Sequence, residues 1–279
     1  MKVNVEKQPG SQIKINVVVP KEKVKESYTK VLNEKIKTTT VDGFRPGNAP
    51  KDKVIQKIGV SAIYGDVINR LLEIYYPQAA KEKFISPISS PKIEIKEFNL
   101  EKDFEFEAVV AVKPTVKVGD FKKPLITYYN KKKKENEKAK LNSGEVIEEI
   151  LKQTECEIPQ LLIEEEANKM LARLINQAQA VGMSLKDYLT TQNKTAEDLK
   201  KEYKNSANKT IKAEFALSDL VKKANIEISD KEVETAIRAS GAKDVETQLS
   251  NPIQKVYIKS VLEKNKLIMD IIEEIENAK

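Results

Sequence analysis

The residues whose types and spacing most clearly suggest a functional role lie in one short loop. It reads Asp-Gly-Phe-Arg-Pro-Gly-Asn-Ala-Pro at positions 42–50. Two glycines and two prolines within eight residues fit neither a helix interior nor a central strand, so the sequence predicts a stiff, turn-rich loop. Its tip carries Phe44 and Arg45, and aromatic rings and guanidinium groups are enriched at protein contact hot spots. The chemistry indicated is binding. The alternative is that Phe44 folds under the loop into a local core.

The charge distribution supports a polyanionic partner. Arg45 is one of only four arginines among 49 basic residues, and the formal net charge of the chain is +6. Residues 1–60 alone carry a net charge of +7, and residues 131–140 add +4. A basic front end suits a partner such as ribosomal RNA, because lysines neutralise phosphates without reading sequence. The alternative is that the base composition of the genome explains most of the lysines, although not their uneven distribution.

Enzyme chemistry is not indicated by the residue types. The chain has no histidine, which is the commonest general base and metal ligand, and its single cysteine, Cys156, cannot build a zinc site. The carboxylates near positions 164–166 and 273–276 are typical of solvated helix faces rather than paired catalytic acids. No Gly-rich phosphate loop or nucleophile elbow is found. We therefore expect no catalytic residue, no bound metal and no cofactor.

Composition favours a cytoplasmic protein. The chain opens Met-Lys-Val-Asn-Val-Glu-Lys without the apolar segment of a secretory signal. No uncharged apolar run approaches the length that crosses a bilayer, so no membrane partner is expected. One cysteine cannot form a disulfide within the chain, which suits a reducing compartment.

Residues 1–113 are predicted to form the α+β domain that positions the loop. Alternating apolar residues predict two strands on either side of Pro9-Gly10 and two more near positions 93–95 and 104–112. Apolar spacing of three and four predicts a helix over 21–37, a short one over 51–58 and a longer one that ends before Pro77. The loop at 42–50 therefore lies between two helices.

The next thirty residues, 114–143, have a different composition. Apolar positions before Pro124 favour an extended connector. The four consecutive lysines at 131–134 indicate a solvated charge run, which is either a tether or the frayed start of a helix. From 144 to 279 the chain is predicted to be helical throughout, as an all-α domain of long helices. Such helices, with few aromatic residues, are expected to leave apolar surface exposed in arms. The alternative is a closed bundle with every stripe buried.

Two sets of residues carry a resemblance to a known family. Gly43-Phe44-Arg45-x-Gly47-x-x-Pro50, between two helices, resembles the ribosome-docking signature of bacterial trigger factors, chaperones that meet nascent chains at the exit tunnel. The runs at 182–189, 195–199 and 228–234 resemble the helical chaperone domain of the same family. Family members usually carry an FKBP-type peptidyl-prolyl isomerase domain between these halves. Here only 114–143 joins them, which is too short to bury a core of its own. The resemblance therefore implies a form without the isomerase.

The resemblance also implies binding residues. Those expected to dock on the ribosome are Gly43, Phe44, Arg45, Pro46, Gly47, Pro50, Lys51 and Lys53. The family frequently has a lysine where this chain has Pro46, so neighbouring lysines, including Lys57, are left to supply charge. The residues expected to contact clients, around the turn at Gly182, are Met183, Leu185, Tyr188 and Leu189. Their alternative role is the hydrophobic seal of a helix-turn-helix corner.

The function expected from this resemblance is that of an ATP-independent chaperone of the holdase type. It would dock on the large ribosomal subunit near the exit tunnel, through protein and RNA contacts, and shield nascent or unfolded polypeptides with exposed apolar patches. It would need no cofactor, and a weak homodimer is left open. The alternative is a ribosome-associated or RNA-associated binding module with no chaperone activity. Aggregation assays discriminate between the two.

Overall fold

The computed structural model describes residues 1–45, 47–241 and 244–278. The chain divides into two compact units. The first comprises Met1–Lys113 and also Pro159–Leu162, and the second comprises Pro114–Ile158 and Ile163–Lys279. An α+β region followed by a region of long helices is the fold class that the sequence predicts, and it is confirmed.

The first unit is built on a four-stranded antiparallel sheet of order β1-β2-β4-β3. Its strands are β1 (Lys2–Gln8), β2 (Gln12–Val19), β3 (Lys92–Ile95) and β4 (Phe104–Ala111). Val17 of β2 pairs with Val3 on one side and with Phe106 on the other, so the two central strands present alternate apolar residues to one face. The residues buried on that face include Ile15, Val17, Val19, Phe104, Phe106, Ala108 and Val110.

Three helices of the first unit follow from the apolar spacing of the sequence. They are α1 (Lys21–Thr38), α2 (Lys51–Ile58) and α3 (Val60–Glu82). Val24, Val67 and Leu71 belong to the same buried cluster as the sheet, and this cluster holds α1 and α3 against its inner face. α3 continues past Pro77, where the sequence indicated an end. A proline removes one backbone hydrogen bond, but burial of Ala79 and Ala80 keeps the last turn of the helix in place.

The second unit begins with two strands and one helix that the sequence did not indicate. β5 (Val116–Val118) pairs antiparallel with β6 (Thr154–Cys156), and α4 (Lys122–Glu135) lies between them in the chain. It is followed by α5 (Ser143–Lys152), which lies where the sequence predicts the helical region to begin. Residues 114–143 therefore differ from the expected extended connector. The region after residue 144 is not helical throughout either, since β6 interrupts it. The side chains of Phe121, Leu125 and Tyr129 explain the difference, because they are buried in the core of this unit.

Six further helices complete the second unit among the described residues. They are α6 (Gln160–Ala180), α7 (Leu185–Thr191), α8 (Ala196–Lys223), α9 (Asp230–Ala239), α10 (Val245–Ser250) and α11 (Pro252–Asn277). The patterns Thr195-x-x-Asp198 and Ser229-x-x-Glu232 predict capping boxes at the starts of α8 and α9, and both are confirmed. Within the described ranges, no helix is both long and apolar enough to span a membrane.

Candidate functional site

The loop between α1 and α2 is held by main-chain hydrogen bonds. The Phe44 N–H donates to the Val41 carbonyl at 3.0 Å, and the Gly47 N–H donates to the Ile36 carbonyl at 3.2 Å, which ties the loop to the last turn of α1. From the following helix, Lys57 Nζ donates to the Thr40 carbonyl at 2.6 Å. The loop is therefore braced on both sides.

Glycine is needed at two points of this loop. Gly43 and Gly47 have φ angles of +84° and +89°, a left-handed region that side chains with a Cβ rarely adopt. Pro50, with φ of −57°, precedes the first turn of α2, where its fixed φ suits the approach to a helix. These residues shape the backbone and present no recognition group of their own. Pro46, which the sequence places among the docking residues, lies outside the described residues.

The base of the loop is buried and its tip is exposed. Ala49 and Val54 are buried, and Ile55 and Ile58 of α2 pack against the core of the first unit. Phe44, in contrast, is 41% exposed. The sequence left open whether Phe44 folds under the loop, and in the structure its ring lies partly in solvent.

Arg45 differs from the other arginines of the chain. Arg70 forms an ion pair with Glu34 at 2.8 Å, Arg173 pairs with Glu166 at 3.4 Å, and Arg238 pairs with Glu234 at 2.9 Å. Arg45 is exposed, and across 1–45, 47–241 and 244–278 no carboxylate lies within ion-pair distance of its guanidinium. A planar group with five donors is thus left available for a partner such as a carboxylate or a phosphate.

Lysines extend this cationic surface. Lys51 and Lys53 lie on the exposed side of α2, and neither forms an ion pair with the described part of the chain. The sequence grouped Lys57 with them as a source of charge, but its ammonium is engaged with the Thr40 carbonyl. We name the exposed Phe44, Arg45, Lys51 and Lys53 the docking face.

The second candidate site is the turn between α6 and α7. The Gly182 N–H donates to the Gln179 carbonyl at 3.0 Å, and the Met183 N–H donates to the Ala178 carbonyl at 2.9 Å. This closes α6 with a left-handed glycine at φ of +72°. Ser184 then caps α7 through the N–H of Asp187 at 3.2 Å. A tight, hydrogen-bonded corner results.

The four side chains predicted to contact clients surround this corner. Met183, Leu185, Tyr188 and Leu189 are all half-buried, so the structure makes them neither core nor fully exposed surface. Burial raises the pKa of the Tyr203 hydroxyl on α8, and the charge of Tyr188 raises it further. Val181, which the sequence did not single out, is strongly exposed beside them.

Two family models match the chain. The bacterial trigger factor protein model matches residues 1–143, and the model of the trigger factor C-terminus matches residues 120–275. Each covers more than half of the chain. The chain belongs to the trigger factor family. The two matches overlap at residues 120–143, so no other domain lies between them, and this is a form without the intervening isomerase domain.

Individual trigger factors match a smaller part of the chain. The trigger factors of Staphylococcus epidermidis and Staphylococcus aureus strain Newman are each 38% identical over 117 residues. Those residues make up 42% of this chain and 27% of each relative, so the chain spans about a quarter of the length of these relatives. A similar solved structure concerns promiscuous substrate recognition in the folding and assembly activities of the trigger factor chaperone. It covers 99% of this chain and 100% of the other, with a TM-score of 0.69 and 13% identity.

Within this trigger factor fold, the described residues hold no group of three or more His, Cys, Asp or Glu side chains that could bind a metal ion. Cys156 is half-buried on β6. Burial raises the pKa of its thiol, and the charge of Lys212 lowers it in part. A thiol with a raised pKa is a weaker nucleophile at neutral pH than a free cysteine.

The sequence predicts exposed apolar surface on the long helices but does not locate it. In α11, apolar residues recur at spacings of three and four along the helix, and periodicity alone does not show which part of such a stripe is covered. In the structure the N-terminal half of that stripe is exposed.

Proposed function

We propose that this chain is an ATP-independent chaperone that docks on the ribosome near the exit tunnel and shields nascent or unfolded polypeptides. The observation that carries the docking step is the braced loop above a buried base, which presents Phe44 and an Arg45 that has no ion pair among the described residues. Membership of the trigger factor family supports the same function. Such a protein works in the cytoplasm, needs no cofactor and depends on weak apolar contacts and fast release.

The docking face can make both an apolar contact and a charged one. Phe44 offers an apolar ring for a protein pocket, and Arg45 offers a fork of donors for a carboxylate or an RNA phosphate. Lys51 and Lys53 add charge that attracts phosphates without reading sequence. Because the loop is braced before binding, little conformational entropy is lost when it docks.

Ribosome co-sedimentation tests this assignment. Phe44→Ala combined with Arg45→Ala should lower affinity about thirtyfold or more, because one truncated hot-spot residue costs about 2 kcal/mol. Added salt should weaken wild-type binding as phosphate contacts are screened. Arg173→Ala in α6 removes the same charge from an ion-paired site and serves as the control, with wild-type binding expected. Co-sedimentation of the double variant at wild-type levels would show that this loop is not the docking site.

For clients, the proposal places one contact surface at the corner formed by Met183, Leu185, Tyr188 and Leu189. Methionine adapts its shape and tyrosine combines an apolar body with a polar tip, which suits a surface that accepts many sequences. Because each side chain is half-buried, one part of it packs against the protein and the other part remains accessible to a client. Val181 extends the exposed apolar area.

Changing Met183 and Tyr188 together to serine tests the client surface. Suppression of aggregation should weaken while the melting temperature stays within a few degrees, as for partly exposed sites. A large fall in melting temperature would instead assign them to the seal of the corner.

The refolding of a client protein that is limited by proline isomerisation tests the wild-type chain for isomerase activity. A holdase without that activity slows the refolding when it is in excess and does not accelerate it at catalytic amounts.

The alternative function is a ribosome-associated or RNA-associated module without chaperone activity, which the exposed cations of the docking face would also serve. Aggregation assays on the second unit alone separate the two, because only a chaperone retains suppression without the docking face. The fragment for this assay is 114–279, since α4 belongs to the core of that unit.

A further inference from the structure

The side chain of Lys57 joins the two ends of the segment that carries the docking face. Its ammonium, in the last turn of α2, donates to the carbonyl of Thr40, two residues past the end of α1, at 2.6 Å. All four residues of the docking face lie between Thr40 and Lys57 in the chain. We name this hydrogen bond the 40–57 bond. It closes the docking segment at its base.

The Thr40 end of this bond is held in place by α1. Two ion pairs connect the last turns of α1 to α3, between Lys35 and Asp66 at 2.6 Å and between Glu34 and Arg70 at 2.8 Å. Thr40 follows directly after these turns, so its carbonyl is an acceptor attached to a fixed element. A lysine that reaches this carbonyl is thereby connected to the packed body of the first unit.

The Lys57 end belongs to a helix with few anchors of its own. α2 has eight residues, about two turns, and a helix this short is not stable without tertiary contacts. Within α2, which the structure describes in full, Val54 is the one fully buried residue, and Ile55 and Ile58 pack partly against the core. Apolar contacts are not directional. They hold α2 against the core but leave its rotation weakly determined, and a hydrogen bond from its last turn supplies the missing direction.

The 40–57 bond therefore sets how the two parts of the docking face lie relative to each other. Phe44 and Arg45 belong to the loop, whose main chain is tied to α1 through the Gly47 N–H. Lys51 and Lys53 belong to the first turns of α2. With both parts referred to the end of α1, the loop side chains and the helix cations keep one spacing before any partner arrives.

We propose that Lys57 is a positioning residue of the docking face. Its ammonium fixes α2 relative to the loop, so that the apolar and cationic groups reach one surface of the partner together, and it does not itself bind that partner. The inference rests on the proposed docking function. It differs from the role that the family resemblance implies for Lys57, which is to supply charge. Without the 40–57 bond, part of the binding free energy would be used to order α2 and the loop.

A direct contact with phosphate is the competing role for Lys57. The residue is exposed, and an ammonium has three donors, of which Thr40 takes one. The two roles differ in their dependence on salt. A lysine that binds a phosphate contributes about one unit to the slope of log affinity against log salt concentration. A positioning residue changes the affinity and leaves that slope nearly unchanged.

Ribosome co-sedimentation at several salt concentrations separates the two roles in the full chain. Lys57→Met keeps the length of the side chain and removes its donors, and it should lower affinity about fivefold with the wild-type salt slope. Lys57→Arg keeps a donor and should restore most of the affinity. Lys53→Met removes the same charge from the docking face and should lower the slope by about one. Lys81→Met is the control, at an exposed lysine in the last turn of α3 that forms no ion pair with the described residues, and should bind like wild type.

Hydrogen exchange in the free protein, followed by mass spectrometry, gives a readout that needs no ribosome. Peptides that cover residues 41–56 should exchange about fivefold faster in Lys57→Met, because the segment opens more easily, and at the wild-type rate in Lys53→Met and Lys81→Met. The melting temperature should stay within a few degrees, since Lys57 is exposed.

Four results would overturn the proposal. They are wild-type binding by Lys57→Met, a salt slope lowered by about one with unchanged exchange, no recovery with Lys57→Arg, and a large fall in melting temperature. The second of these would make Lys57 a phosphate ligand, and the last would make it a residue of general stability. The docking function itself fails on a different result, wild-type binding by the combined Phe44→Ala and Arg45→Ala variant. Exchange in the free protein would still show whether Lys57 orders the segment.

Discussion

At the scale of single residues, the loop at 42–50 combines positions that shape its backbone with positions that we propose to contact a partner. Gly43 and Gly47 allow the backbone to turn, and the turn exposes the side chains of Phe44 and Arg45 to solvent. The glycine and proline spacing predicts the loop because these residues restrict the backbone by themselves. Exposure of Phe44 is different, since it depends on Ala49 and Val54 being buried beneath the loop, and no local pattern reveals that.

A pair of glycine substitutions in the first unit should have opposite effects on stability. Gly47→Ala forces a residue with a Cβ to φ of +89°, which costs about 1 kcal/mol although the space around it is empty. Gly65→Ala lies inside α3, also in open space, and should stabilise by about 0.5–1 kcal/mol because alanine favours the helix. Denaturant unfolding of the two variants measures both values. Equal effects would mean that the conformation of Gly47 is not held in solution.

At the scale of elements, α4 shows where pattern reading failed. The four lysines at 131–134 indicated a solvated tether or the frayed start of a helix, but Lys132, Lys133 and Lys134 lie in the last turn of a helix, where the dipole favours cations. Pro124 lies in the first turn, where its missing N–H costs nothing. The apolar pair Leu125 and Tyr129, one turn apart, was the signal for the helix. It was too short to be conclusive, because the residues that bury this pair belong to other elements, α5 and α11 among them.

A charged cluster joins α4 to α5. Lys132 Nζ donates to Glu145 Oε1 at 2.6 Å, and the Tyr128 hydroxyl donates to the same oxygen at 2.7 Å. The Asn142 N–H donates to Glu145 Oε2 at 2.9 Å and completes a capping box. Burial by itself raises the pKa of Glu145, but Lys132, the Asn142 N–H and Tyr128 together outweigh it and hold that pKa below its usual value.

This cluster should make the second unit sensitive to acid. A carboxyl group whose pKa is lower in the folded state stabilises the fold above its unfolded pKa, near 4.3, and loses that contribution as pH falls through the folded value. Glu145→Gln should therefore cost about 1–2 kcal/mol at pH 7, and its difference from wild type should shrink below about pH 4. Denaturant unfolding at several pH values checks this. Glu148→Gln, at an exposed site of α5, is the control and should change stability by less than about 0.5 kcal/mol.

At the scale of the whole molecule, the sequence predicted the two-part architecture because its signals are long and periodic. Alternating strands and amphipathic helices fix the class of each unit, and capping boxes mark several helix starts. The start of the second unit was not predicted from the sequence, because it depends on which residues its core buries. The C-terminal family model starts at residue 120, inside the segment expected to be a connector, and the structure puts Phe121 in the core of the second unit.

Two fragments of the second unit should therefore differ sharply in stability. Residues 114–279 keep all of its core, whereas residues 144–279 lack Phe121, Leu125, Tyr129 and Leu141. Burial of each such side chain contributes about 1.5–3 kcal/mol, so their loss removes roughly 6 kcal/mol or more, as much as many domains have in total. The longer fragment should unfold cooperatively on heating, followed by circular dichroism. The shorter one should melt much lower or without a cooperative transition, and be cut faster by protease. Equal melting of the two fragments would show that α4 is dispensable and that the unit begins at α5.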